Sequence, residues 1–154
     1  AALEFEEAAR LNPSYLQDPG FVWGQAQAYE KSRRTPQALE KYRQAVRLAP
    51  GDPEPPHRTG LLYLNEGMND PAAEFLAEAL RRDPKFVAAA IPLAEAYRRL
   101  KRYDQAVEAL EGPIAAAPAD GSLRLKRAEI YRQLSMEREA REDEAAAERI
   151  RKSR

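Results

Sequence analysis

The chain has 154 residues and equal numbers of basic and acidic side chains, 25 of each, so its net charge is zero and bulk positive charge cannot carry nucleic-acid binding. Cysteine is absent, which excludes disulfides, thiolate metal sites and cysteine nucleophiles, and a single histidine excludes a multi-histidine metal centre. In chain order, Leu3, Phe5, Ala8 and Leu11 belong to a first helix, followed by a loop from Asn12 to Gly20. Pro55 and Pro56 suit a first helical turn, and the helix runs from His57 to Glu66 with Gly67 as its stop. Asp70 is placed as the N-cap of the next helix, with Pro71 at its first position, running through Ala72 to Arg82 and ending before Pro84. Ala89 to Leu100 forms another helix, and Asp104 caps the one after it. Gly112–Pro113 is expected to kink or stop that helix near Glu111, because proline removes a donor and crowds the preceding turn, at about 3 kcal/mol in a helix interior. Pro92 lies within about a turn of a helix start, where it is tolerated. Strand signals are absent.

Three series share one period. A small residue with tyrosine three later occurs at Ala26–Tyr29, Gly60–Tyr63, Ala94–Tyr97 and Ala128–Tyr131, each step being 34 residues. Ala38, Ala72, Ala106 and Ala140 repeat at the same step, as do Pro50, Pro84 and Pro118. Each unit reads as two antiparallel helices. Small residues let the axes approach to the usual 8–10 Å, and the tyrosines and the bulky Tyr42, Leu76 and Leu110 fill the remaining space. Residues 1–13 then read as the second helix of a truncated repeat, 14–50, 51–84 and 85–118 as repeats, and 119–154 as a last repeat with a polar capping helix. The spacing Pro13 to Pro50 is 37, and the surplus residues fall in the loop after the first helix.

These residues, and the segment AYRRLKRYDQAVEAL from Ala96 to Leu110 in particular, resemble the tetratricopeptide repeat family. The resemblance covers nearly the whole chain. It implies an all-α fold, an α-solenoid of antiparallel helix pairs in a right-handed superhelix, whose concave groove is lined by the first helix of each pair and holds a segment of another protein. Helical spacing then assigns to the groove Trp23, Gln27 and Glu30, then His57, Arg58, Leu61 and Leu64, then Ile91, Glu95, Arg98 and Arg99, and last Leu125, Lys126, Glu129 and Arg132. One subset of the family grips free C-terminal carboxylates of chaperones with a Lys/Asn/Lys/Arg clamp. This chain has Trp23 and Gln27, or His57 and Leu61, at the first two of those places, so an internal segment with apolar anchors is the expected ligand.

The final helix, from Glu137, is mostly charged, and Glu144 stands where earlier units carry Tyr42, Leu76 and Leu110, as a solvated cap requires. Its alternative role is a basic tail of Arg149, Arg151, Lys152 and Arg154 against an acidic partner. Phosphate-binding glycine loops and a GxSxG elbow are missing, and His57 has no evident nucleophile. No catalysis, cofactor, metal, nucleic acid or membrane span is therefore expected. The expected function is a non-catalytic interaction module serving a scaffold, assembly or adaptor role. The alternative is a regulatory or targeting domain of a larger, enzymatic protein. Ala1 reads as a cut end, so the native protein is expected to extend N-terminally, and the truncated end offers a surface for self-association.

Overall fold

A computed structural model describes residues 1–153; Arg154, counted above with the basic tail, lies outside the described residues. The described residues form nine α-helices and two short 3₁₀ turns joined by short loops, with no strand: α1 (Ala2–Leu11), α2 (Pro19–Lys31), α3 (Thr35–Leu48), α4 (Glu54–Asn65), α5 (Asn69–Arg82), α6 (Ala90–Arg99), α7 (Tyr103–Ala116), α8 (Gly121–Gln133) and α9 (Glu137–Lys152). The α2/α3, α4/α5, α6/α7 and α8/α9 pairs stack in sequence as an α-solenoid, with α1 against α2. The surplus residues of the first loop form the 3₁₀ turn Pro13–Gln17, after which the Asp18 carboxylate accepts from the Phe21 amide at 2.6 Å and caps α2.

One backbone device turns every pair. Arg33, Gly67, Lys101 and Ser135 have φ between 56° and 75° and stand 34 residues apart. The next residue's amide reaches back to the tyrosine carbonyl: Arg34 to Tyr29, Met68 to Tyr63, Arg102 to Tyr97 and Met136 to Tyr131, each at 2.9 Å. This is the Schellman arrangement, which satisfies carbonyls that a helix end leaves open. So tight a turn restarts the chain early. α5 begins at Asn69 and α7 at Tyr103, so Asp70 and Asp104 lie in first turns rather than at the N-caps expected of them, which are Met68 and Arg102. Asp70 bonds Arg102 instead, at 3.0 Å.

The recurring small residues are buried, the recurring tyrosines are buried or half-buried, and Pro50, Pro84 and Pro118 are exposed at the ends of the units. Ala26, Ala94, Ala38, Ala72, Ala106 and Ala140 are fully inaccessible, as are Tyr42, Leu76 and Leu110. A Cβ placed on Gly60 would stand 2.6 Å from Leu76 Cγ and 3.1 Å from the Ala72 carbonyl oxygen, so only glycine fits that crossing. The core is a strip of three clusters, and each spans a repeat junction: Tyr42 with Leu62, Leu76 with Leu93, Leu110 with Leu123.

α7 does not stop near Glu111. It runs to Ala116 with Pro113 inside it, and the Ala117 amide bonds the Pro113 carbonyl at 2.9 Å. Only one intrahelical donor is lost, and Pro113 and Ile114 are buried, with Ile114 in the cluster that includes Leu123. Packing of that last turn outweighs the propensity cost. At the other end α1 covers part of its apolar face: Phe5 meets Phe21 edge-on at 5.2 Å, while Leu3 and Leu11 stay exposed.

Candidate partner-binding face

The first helices of successive pairs present one face, joined across repeat junctions by ion pairs. Arg58 of α4 donates to both carboxylate oxygens of Glu30 on α2, at 2.8 and 2.9 Å, and Glu30 also accepts from the Tyr42 hydroxyl. Burial, reinforced by that bond to a carboxylate, holds the Tyr42 hydroxyl well above its ordinary pKa. Two junctions later Lys126 of α8 reaches Glu95 of α6 at 2.8 Å, and Arg98 lies 3.6 Å from Glu129. Glu95 also accepts from Arg98 at 2.7 Å and from Arg99 at 2.9 Å. Its hydrogen bonds to Arg98, followed by those to Lys126 and Arg99, outweigh its partial burial and hold its carboxyl far below the usual range.

The residues assigned to the groove therefore divide into groups. Arg58, Glu95, Arg98 and Lys126 are on this face, each already bound to an opposite charge. Arg99 also donates to the Leu64 carbonyl at 3.1 Å, tying α6 to the end of α4. Trp23, Gln27, Leu61 and Ile91 are partly accessible. Leu64 is buried in the cluster with Leu76 and Leu93, because it lies one helical turn after Gly60 on the side of α4 that packs against α5. His57 is buried too, edge-on to Phe86 at 5.1 Å, with Nδ1 lacking a hydrogen bond and 3.8 Å from Glu54. Arg132 pairs with Glu144 of α9.

Trp23 stands edge-on to Tyr42 at 5.1 Å and borders a cleft of about 260 Å³ lined by Pro19, Gly20, Ala45, Ala49, Asp52, Glu54 and Pro55. Sequence reading found Trp23 but not the rest of this cleft. Pro19 and Gly20 were detectable, since they lie one helical turn before Trp23. Pro55 and Glu54 come from the next repeat, which periodicity within one helix does not reach.

The last helix is less solvated than its composition suggests. Asp143 is buried and takes Arg127 at 2.6 and 2.8 Å, with Arg124 at 3.5 Å. Glu148 pairs with Arg151 at 2.7 Å and with Lys152 at 3.5 Å. Among the described residues no helix is long and apolar enough to cross a membrane, and no group of three or more His, Cys, Asp or Glu is placed to hold a metal.

Tetratricopeptide repeat profiles match residues 24–55 and 63–130. No curated protein matches the chain in sequence. Among solved structures, MamA superposes with a TM-score of 0.85 at 16% identity, over 99% of this chain and 87% of that one. A MamA fragment, 41-end, from Desulfovibrio magneticus RS-1 gives 0.81 at 16% identity, over 99% and 85%. YrrB, described as a TPR protein with an unusual peptide-binding site, gives 0.80 at 13% identity, over 97% and 75%. At such identities the superpositions speak for the fold alone, and they agree with the repeat spacing, the buried small-residue series and the profile matches: the chain belongs to the tetratricopeptide repeat family.

Proposed function

We propose that the chain is a non-catalytic protein-interaction module that holds an internal segment of a partner against the face of α2, α4, α6 and α8. The observation that carries this is the contrast along that face. An aromatic side chain, Trp23, borders an open cleft, and Leu61 and Ile91 on the first helices of the next two pairs are partly accessible apolar groups. The basic groups of the same helices already hold acids: Arg58 holds Glu30, and Arg98 and Lys126 hold Glu95. A free C-terminal carboxylate entering here would have to displace an existing partner and would be desolvated for little return. Apolar side chains face no such competition, and a partly buried tryptophan is a common binding anchor.

Trp23 is the only tryptophan, so its emission reports on the face directly. Titration with internal peptides of a captured partner should shift that emission and saturate, and Trp23→Phe should remove the signal while Trp23→Ala weakens binding measured by calorimetry. Tight binding of an acidic peptide that is abolished by amidating its C-terminus would overturn the reading. Self-association through the N-terminal end rests on a separate observation, the exposure of Leu3 and Leu11 on α1. A concentration-independent monomer mass in sedimentation would dismiss it.

A further inference from the structure

We propose that a groove between α3 and the α4–α5 turn is a second docking site, for an amphipathic partner segment that carries acidic residues at one end. The groove has a volume of about 690 Å³, and none of the residues of the first-helix face described above lines it. Its floor is apolar: Pro36 and Leu39 from α3, Tyr63 from the end of α4, and Met68, which is 52% exposed. Tyr63 is held in place by stacking on Phe75 at 5.7 Å, so this wall is pre-set rather than induced.

The equivalent place one repeat later is built differently. One repeat later, the counterparts of Pro36 and Met68 are Asp70 and Arg102, and these bond at 3.0 Å. A salt bridge there joins the start of α5 to the turn before α7. Here the same two positions are apolar, and no such bridge can form.

Charge sets the direction of the occupant. Arg43 and Arg47 line the groove one helical turn apart, both are exposed, and neither makes an ion pair or side-chain hydrogen bond among the described residues. Most of the other arginines of the chain hold a carboxylate, so these two are cations left available. Because α4 runs back along α3, its end lies beside Thr35, Pro36 and Leu39, far from Arg47. Glu66 therefore sits at the opposite end of the groove, and Glu40 lies between with Lys41 at 3.8 Å. An acidic segment end is attracted at Arg43 and Arg47 and repelled at Glu66. A guanidinium pair suits carboxylates through charge-assisted bonds, and the apolar floor suits leucine-sized side chains at helical spacing.

The test uses an array of short synthetic peptides with two leucines four residues apart, flanked at one end by glutamates or, in a matched set, by lysines. Binding is read by fluorescence anisotropy against the wild-type chain, Arg43→Glu/Arg47→Glu, Met68→Glu and Trp23→Ala. All of these altered side chains are at least partly accessible, and circular dichroism melts confirm that each variant is folded. Members of the glutamate set should bind the wild type, lose about tenfold or more in affinity on either groove variant, and be unaffected by Trp23→Ala. The proposal is overturned if no glutamate peptide binds, if the lysine set binds equally well, if binding survives the double charge reversal, or if Trp23→Ala abolishes it. That last result would move the peptides to the first-helix face.

Discussion

Gly60 and His57 show how single residues constrain this chain. Gly60 sits where α4 crosses α5, and any side chain there meets Leu76 and the Ala72 carbonyl. Leu76 has rotamers in which to yield; the carbonyl does not. Gly60→Leu should therefore destabilise the protein by about 1–3 kcal/mol through overpacking, read as a lowered thermal midpoint. An unchanged melt would mean that the junction has slack. His57 responds to pH. Burial, opposed by Glu54 and assisted by Arg58, lowers its pKa below the ordinary 6.5. The unfolded chain therefore takes up a proton at His57 before the folded chain does, so stability is present above 6.5 and declines as pH falls through that value. His57→Gln should flatten the pH dependence of the melting temperature between about pH 7 and pH 5. Glu95 acts in a separate window: its depressed pKa gives stability that is present above 4.5 and lost as pH falls below it. If the His57 variant keeps the wild-type slope between pH 7 and 5, the histidine is not the group responsible.

At the scale of elements, the turns and the last helix pair decide most. Four turns share one backbone conformation, yet glycine occupies the left-handed position only at residue 67. Arg33, Lys101 and Ser135 adopt it against the steric cost of their Cβ, about 1–2 kcal/mol in this region. Sequence reading recognised the stop at Gly67 and had no residue signal for the other three, because the turn is held by backbone bonds to the tyrosine carbonyls. Lys101→Gly should relieve the strain and stabilise the protein by about 0.5–1 kcal/mol, after the entropy that glycine costs in the unfolded chain. A decrease in the denaturation midpoint would contradict this. In the α8/α9 pair, the helix that looked wholly solvated buries Asp143 between Arg127 and Arg124. Removing one partner of a buried pair strands the other, so Asp143→Ala should cost about 3–5 kcal/mol, and adding Arg127→Ala should recover part of it. Purely additive losses would show that the two side chains do not act as a pair.

For the whole molecule, stability and charge are both distributed along the stack. Every core cluster joins neighbouring pairs, and Arg82 adds a polar staple by donating to the carbonyl of Val46 in the last turn of α3 and to those of Ala49 and Asp52 in the loop after it. Such a chain behaves as a row of units coupled to their neighbours. The first-helix face carries acids and bases that neutralise each other, so a segment held there by apolar anchors should lose little affinity with salt. Calorimetric titrations from low to physiological ionic strength should change Kd by less than about threefold. A steep salt dependence would mean that unpaired charges carry the binding.

Periodicity makes the fold legible in the sequence itself. A crossing of two helices demands small residues at fixed places, so Ala26, Gly60, Ala94 and Ala128, with the alanines from 38 to 140, marked the helix pairs and their spacing. Trp23, Arg58, Glu95, Arg98 and Lys126 were likewise legible as members of one face, because helical geometry sets which residues share it. What the tertiary structure decided were the partners. That Arg98 and Lys126 converge on Glu95, that Asp143 is buried, and that Pro36 and Met68 line an open groove while their counterparts Asp70 and Arg102 pair, all depend on side chains brought together by packing. Local spacing carries the direction of a side chain; its neighbour across a junction is set only when the helices pack.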